Sequence, residues 1–304
     1  MGIAVELKYQ YEHRLNTAEA FVNEGKDLHA LQIYNSLLDE YPERPEIYYK
    51  IASLFEKLKM IDPAVSKINS FISAQPENLD MRLFLGQFLL RNGRWEEAIE
   101  CLSFIMPDEE PIVAFFLGYA HFMLKEYELA KINFLNFLAV EVKTELVHET
   151  QLYLAKIALE LKNYESAISF AKKAELIYSI FWELSFVYAS AYYHLDMLEH
   201  AQNSVLKAVK LNPDQPEPYD LAGKIYFKLG SYEKAEEYFL NYINMIDEVS
   251  SEAYTNLAES CMKIMKAEDA LAYFDVAIKL DPLNKAAREG KIKASDILKA
   301  TSHD

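Results

Sequence analysis

Glycine is scarce in this sequence, with 8 in 304 residues, and proline adds only 10. A many-turned β-sandwich needs more turn punctuation than that, which excludes it. The two cysteines, Cys101 and Cys261, cannot staple a chain of this size, so they point to a reducing compartment or to plain burial. No run of 18 apolar residues occurs, so no membrane span is expected. The opening stretch MGIAVELKYQYEHRL has no basic segment followed by an apolar one, so no signal peptide is expected and the location expected is cytoplasmic. Basic residues number 31 against 47 acidic ones, a net charge of −16, and they form no concentrated stripe. Such a surface repels phosphate backbones, and no nucleic-acid partner is expected. Apolar residues, by contrast, make up 51% of the chain, enough to bury a core and to exclude wholesale disorder.

The length fits either two domains or one elongated array. A repeat decides in favour of the array. An alanine recurs at Ala30, Ala64, Ala98, Ala130, Ala167, Ala201, Ala235 and Ala270, in steps of 34, 34, 32, 37, 34, 34 and 35. Twelve positions before each stands a second small residue: Ala18, Ala52, Gly86, Gly118, Ala155, Ala189, Gly223 and Ala258. Every length change therefore falls between repeats. Two helices cross closely where both offer a small residue. Large apolar residues surround these points at helical spacing, as with Tyr188, Tyr192, Leu198 and Val205, among good helix formers. Each repeat reads as an antiparallel helix pair.

The turn signals agree. Gly25, Gly93 and Gly230 stand five residues before the repeating alanine, where a left-handed cap would end the first helix. Lys59, Lys125 and Lys162 hold that place elsewhere, suiting a helix C-terminus by charge but lacking glycine's backbone freedom. Two residues before the alanine stand Asp62, Glu96, Glu128, Glu165, Glu199, Glu233 and Glu268, in the first turn of the second helix, where a carboxylate favours the macrodipole. Much of the acidity is thus structural. Pro42, Pro76, Pro213 and Pro282 follow the alanine by twelve residues, between repeats.

This pattern resembles the tetratricopeptide repeat, a 34-residue helix–turn–helix unit. The seventh repeat carries Tyr219, Gly223, Tyr226, Gly230, Tyr232, Ala235 and Phe239, and the eighth Tyr254, Leu257, Ala258, Ala270, Phe274, Ala277 and Pro282. The family's tryptophan at position four is instead Arg14, Arg82, Ala114, Gln151 or Ser185 in five repeats. The resemblance implies an all-α fold, a right-handed α-solenoid superhelix of stacked pairs, with repeats at 11–44, 45–78, 79–110, 111–147, 148–181, 182–215, 216–250 and 251–284. Residues 1–10 are expected to extend the first helix, residues 285–300 to form a capping helix, and 301–304 to be a disordered tail. Two joints break the period. Met106–Pro111 is two residues short, and the stretch Val140–Thr144 three residues long. A local change of superhelical twist is expected between them.

Signatures of chemistry are missing. No histidine pair has zinc-site spacing, the cysteines are not spaced C-x-x-C, and no phosphate-cradling or nucleophile-elbow string occurs. His121 and Cys261 read as core residues. No catalytic role, metal or cofactor is expected.

In the family, positions two, five, nine, twelve and thirteen of each first helix face a concave groove. The resemblance thereby places in it Leu83 and Arg91, then Phe115, Tyr119, Phe122 and Met123, then Leu152 and Lys156, then Phe186 and Tyr193, and finally Lys224, Phe227 and Lys228. That is an aromatic and aliphatic strip with interspersed cations. It implies a protein or peptide partner with an apolar or amphipathic segment. The chaperone-tail receptors of the family place lysine at position five and asparagine at position nine. No repeat here has that pair, so recognition of such a tail is not expected. The expected role is a non-catalytic adaptor or scaffold. Two alternatives stand beside it: a self-associating, homo-oligomeric scaffold, and a regulatory subunit of a secretion, envelope or enzyme assembly that binds through a convex acidic face.

Overall fold

The computed structural model describes residues 2–140, 146–177 and 180–301. The expected insertion at Glu141–Thr144 and the tail Ser302–Asp304 lie outside the described residues. Contacts divide the chain into two bodies, residues 1–140 and 141–304. All regular structure among the described residues is helical.

The N-terminal body holds α1 (Gly2–Asn23), α2 (Asp27–Glu40), α3 (Pro45–Lys57), α4 (Ile61–Ala74), α5 (Leu79–Arg91), α6 (Trp95–Leu102), α7 (Ile112–Met123) and α8 (Tyr127–Ala139). The C-terminal body holds α9 (Leu146–Glu160), α10 (Tyr164–Glu175), α11 (Trp182–His194), α12 (Leu198–Leu211), α13 (Glu217–Lys228), α14 (Tyr232–Met245), α15 (Ser251–Lys263), α16 (Ala267–Leu280) and α17 (Lys285–Thr301). In each body every odd helix packs on the even helix that follows it, and each even helix packs on the next odd one. Stacked pairs of this kind are an α-solenoid. The helix α17 closes the C-terminal body against α16 and α15.

The small residues explain why the pairs nest. Ala18, Ala30, Ala98, Ala130, Ala155, Ala167, Ala235, Ala258 and Ala270 are fully buried. Four residues after each repeating alanine comes the residue that fills the crossing: Tyr34, Ile68, Leu102, Phe134, Ala171, Val205, Phe239 and Phe274, each at most 1% exposed. A Cβ on Gly118 would lie 2.8 Å from the Phe134 ring, and one on Gly223 would lie 2.5 Å from Phe239. Gly86 stands in the same way against Leu102, and Gly290 of α17 against the other side of Phe274. Only hydrogen at these sites leaves room for the ring or branched side chain.

The turn between paired helices is left-handed in all eight repeats. Gly25, Gly93 and Gly230 have φ of 73°, 72° and 75°, and Lys59, Lys125, Lys162, Asp196 and Met265 have φ between 57° and 63°. The amide that follows this residue closes the cap. Lys26 N donates to Phe21 O at 2.8 Å, and Ser231 N to Tyr226 O at 3.0 Å. The lysines therefore do what the glycines do, at the steric cost of a Cβ in that region.

Three repeats share one chemistry at position four. Tyr48 and Tyr219 donate through their hydroxyls to the carbonyls of Pro42 and Pro213, at 3.0 and 3.1 Å. Arg82 donates through Nε to Pro76 O at 3.3 Å. An arginine can replace a ring in the third repeat because either side chain can donate to the carbonyl of the closing proline. The short joint after the third repeat is absorbed by ending α6 early, at Leu102, after only 8 residues.

Candidate protein-binding surface

All thirteen residues expected to line a groove stand on odd helices. Within the C-terminal body α9, α11, α13, α15 and α17 each touch the next odd helix, while the even helices pack chiefly on odd ones. The odd helices of this body thus stand side by side.

The N-terminal body presents Leu83 and Arg91 on α5 and Phe115, Tyr119, Phe122 and Met123 on α7. Leu83 is half-buried against the core. Arg91 is exposed; it reaches Glu56 at 3.4 Å and lies over the Phe88 ring. Tyr119 meets Trp95 edge to face, with ring centres 5.7 Å apart. Phe122 is half-buried beside Tyr127, and Met123 is exposed. Phe115 does not fit the expectation of an exposed anchor. It is 6% exposed and packs against Phe116, Phe134 and Phe137, at 5.6 to 5.8 Å. The rings offered by α8 draw it into the pair.

In the C-terminal body Leu152 is likewise buried, at 7%, in a core of small residues that includes Ala155, Ala167 and Ala171. With so little volume opposite, the leucine turns inward. Its neighbour Lys156 lines a cleft of about 370 Å3 together with Tyr153, Phe181 and Glu183. Burial lowers the pKa of Lys156, and the charge of Glu183 opposes that shift. The ammonium lies 5.7 Å from the Tyr153 ring centre, and no ion pair to it occurs among the described residues. Glu183 Oε2 is shut off from solvent without a hydrogen-bond partner among the described residues.

Further along, Phe186 is half-buried next to Trp182, with centres 6.1 Å apart. Lys228 lies 4.4 Å above the Tyr193 ring and pairs with Asp196 at 3.2 Å. His194 stacks on Tyr164 at 4.7 Å; burial lowers its pKa, helped by Lys228, Lys162 and Lys224. Burial would lower the pKa of Lys224, but Asp220 at 2.8 Å and Glu252 at 3.5 Å outweigh it and raise the value. Phe227 meets Tyr232 at 5.3 Å and lines a second cleft, of about 510 Å3, with Glu259, Met262 and Lys293. Burial raises the pKa of Glu259 against the pull of Lys263 and Lys293. The sequence reading did not pick out Tyr153, Glu183, Met262 or Lys293. Glu183 and Met262 stand at positions two and twelve of their repeats, so the register did carry a signal for them, whereas Tyr153 at position six and Lys293 in α17 had none.

His121 is partly buried and bonded through Nδ1 to Glu126 at 2.6 Å, and Cys261 is fully buried. No described helix is long and apolar enough to cross a membrane.

Sequence profiles described as tetratricopeptide repeat match residues 49–102, 183–215 and 216–246. No curated protein is significantly similar in sequence. Among solved structures, the chain is similar to one of the APC/C Cut9–Hcn1 hetero-tetramer (TM-score 0.62, 15% identity) over 92% of its own length, and spans 55% of that chain. It is similar to Pseudomonas aeruginosa pilF (TM-score 0.59, 18% identity) over 72% of this chain and 99% of that one. A tetratricopeptide repeat protein from Parabacteroides merdae gives TM-score 0.51 at 14% identity, over 94% and 98%. At these identities the likeness concerns the fold alone. The matched profiles and the small-residue register carried through eight helix pairs place this chain in the tetratricopeptide-repeat family.

Proposed function

We propose that the chain is a non-catalytic adaptor that holds a peptide segment on the odd-helix side of its C-terminal body. The segment would carry an acidic residue next to an aliphatic or aromatic one. The observation behind this reading is Lys156, a half-buried cation with no ion pair among the described residues, beside Tyr153 and Phe181 in an open cleft. A partner carboxylate there gains a charge-assisted hydrogen bond in a partly dehydrated setting. The half-exposed rings of Phe186, Tyr193 and Phe227 then supply apolar anchors along the same run of helices. Lys224 and Lys228 are already paired, so they contribute orientation more than affinity.

A peptide array presenting aliphatic and aromatic residues with and without a neighbouring Asp or Glu tests this. The wild-type chain is expected to select the acidic–apolar peptides, and Lys156→Ala to lose the acidic preference while keeping its helicity. The same selection by both proteins defeats the reading.

A further inference from the structure

At two outward positions of the even helices α8 alone carries a large aliphatic residue. Two positions after the repeating alanine the chain has Gln32, Ser66, Glu100, Ser169, Asn203, Glu237 and Ala272, but Ile132 on α8. One position before the alanine the other repeats have His29, Pro63, Glu97, Ser166, His200, Lys234 and Asp269, but α8 has Leu129. Leu129, Ile132 and Leu135 are 48%, 53% and 42% exposed. Leu129, Ile132, Asn136 and Ala139 follow one another at spacings of 3, 4 and 3, which makes a continuous uncharged stripe along the helix. The stripe runs into a cleft of about 340 Å3 between the end of α8 and the loop before α7, lined by Pro107, Asp108, Asn136 and Ala139. Carboxylates bound it at both ends: Glu128 in the first turn of α8, which is held only loosely by Lys131 at 3.8 Å in an exposed pair, and Asp108 with the exposed Glu109 at the cleft.

We propose that this outward face of α8 docks an amphipathic helix of a protein partner. Its aliphatic stripe lies along Leu129, Ile132 and Ala139, and Lys or Arg at its two ends meets Glu128 and Asp108. The charges choose the occupant. A second copy laid antiparallel on α8 would bring Glu128 of each chain against the other's Asp108–Glu109 turn, on top of a net charge of −16 per chain. An anionic lipid surface meets the same repulsion. A basic-ended apolar helix meets attraction at both ends and burial in between. The surface lies on the side of the N-terminal body opposite its odd helices, so it stands or falls apart from the peptide site proposed above.

The test uses the full chain and two labelled model helices with a heptad-spaced leucine stripe, one ending in lysines and one in glutamates. Binding is read by fluorescence anisotropy. The variant replaces Leu129→Ser and Ile132→Ser, because Ser166 and Ser169 hold those places in the fifth repeat. The lysine-ended helix is expected to bind the wild type at least tenfold more tightly than the double variant, and at least tenfold more tightly than the glutamate-ended helix does. The thermal melt of the variant should match that of the wild type. Replacing both Glu128→Lys and Asp108→Lys should reverse the preference between the helices. Equal affinity for wild type and double variant overturns the proposal, as does absence of binding. It is also overturned by a wild-type dimer that the double variant dissociates, or by vesicle flotation that the double variant abolishes, since those results give the face to a second copy or to a membrane.

Discussion

The helix pairs α7–α8 and α9–α10 solve the same crossing in opposite ways. In the first, Gly118 makes room for the Phe134 ring, and Phe115 and Phe137 fill in around it. In the second, Ala155 stands in the place of the glycine and Ala171 in the place of the ring, with Ala167 and Ala174 also fully buried. One crossing is a ring on a bare backbone; the other is alanine against alanine. A repeat therefore keeps one of the two positions small and leaves the other open from alanine to a ring, with neighbouring residues making up the volume. The consequence is energetic. The first crossing depends on one large side chain, whereas the second spreads its burial over many small ones.

Five substitutions can break or sharpen this contrast, each read as a change in denaturant midpoint. The largest effect is expected from Phe134→Ala, which empties the α7–α8 crossing and should cost about 3–5 kcal/mol. Ala171→Gly at the matching place in α9–α10 should cost only about 1 kcal/mol, chiefly through backbone entropy; comparable losses from the two would contradict the contrast. Next comes Gly118→Ala, expected to cost about 1–3 kcal/mol, because the added Cβ has nowhere to go but into the Phe134 ring. A neutral result would mean that the ring can step aside. The smallest effect has the opposite sign. Lys125→Gly and Lys162→Gly relieve a left-handed residue at φ of 61° and 58° and should each stabilise by up to about 1 kcal/mol. Part of the gain is offset by the freer unfolded chain. Since the turns are alike, the two gains should be equal even though the crossings differ.

The repeat was legible because it is written in small residues, and small residues cannot be replaced without moving helices. Ala18 through Ala270 could be read off in register without any structure. The turn was legible at Gly25, Gly93 and Gly230, but Asp196 and Met265 carry the same left-handed backbone with no such sign. There the surrounding helices impose a conformation that the residue itself disfavours. The surface was harder to read. Phe115 and Leu152 occupy groove-facing positions in a regular repeat, yet both are buried. Whether a ring points out or in depends on the volume its neighbours leave, and position within the repeat carries no information on that. The cleft around Lys156 was half legible: the lysine stood out in the sequence, whereas Tyr153, one turn before it, and Glu183, from the next odd helix, join it only in the packed structure.

Composition and period alone decided that this chain forms helix pairs, and how many, because hydrogen-bonded helices and close crossings leave a local imprint every 34 residues or so. Which carboxylate each lysine would find, which rings would stay in reach of a partner, and that α8 would turn leucine and isoleucine to the outside were settled only by packing. Those outcomes depend on residues roughly one repeat apart meeting in space, as Lys57 meets Asp27 at 2.8 Å and Lys228 meets Asp196 at 3.2 Å. A charge or a ring has no partner until its neighbouring repeat is stacked beside it.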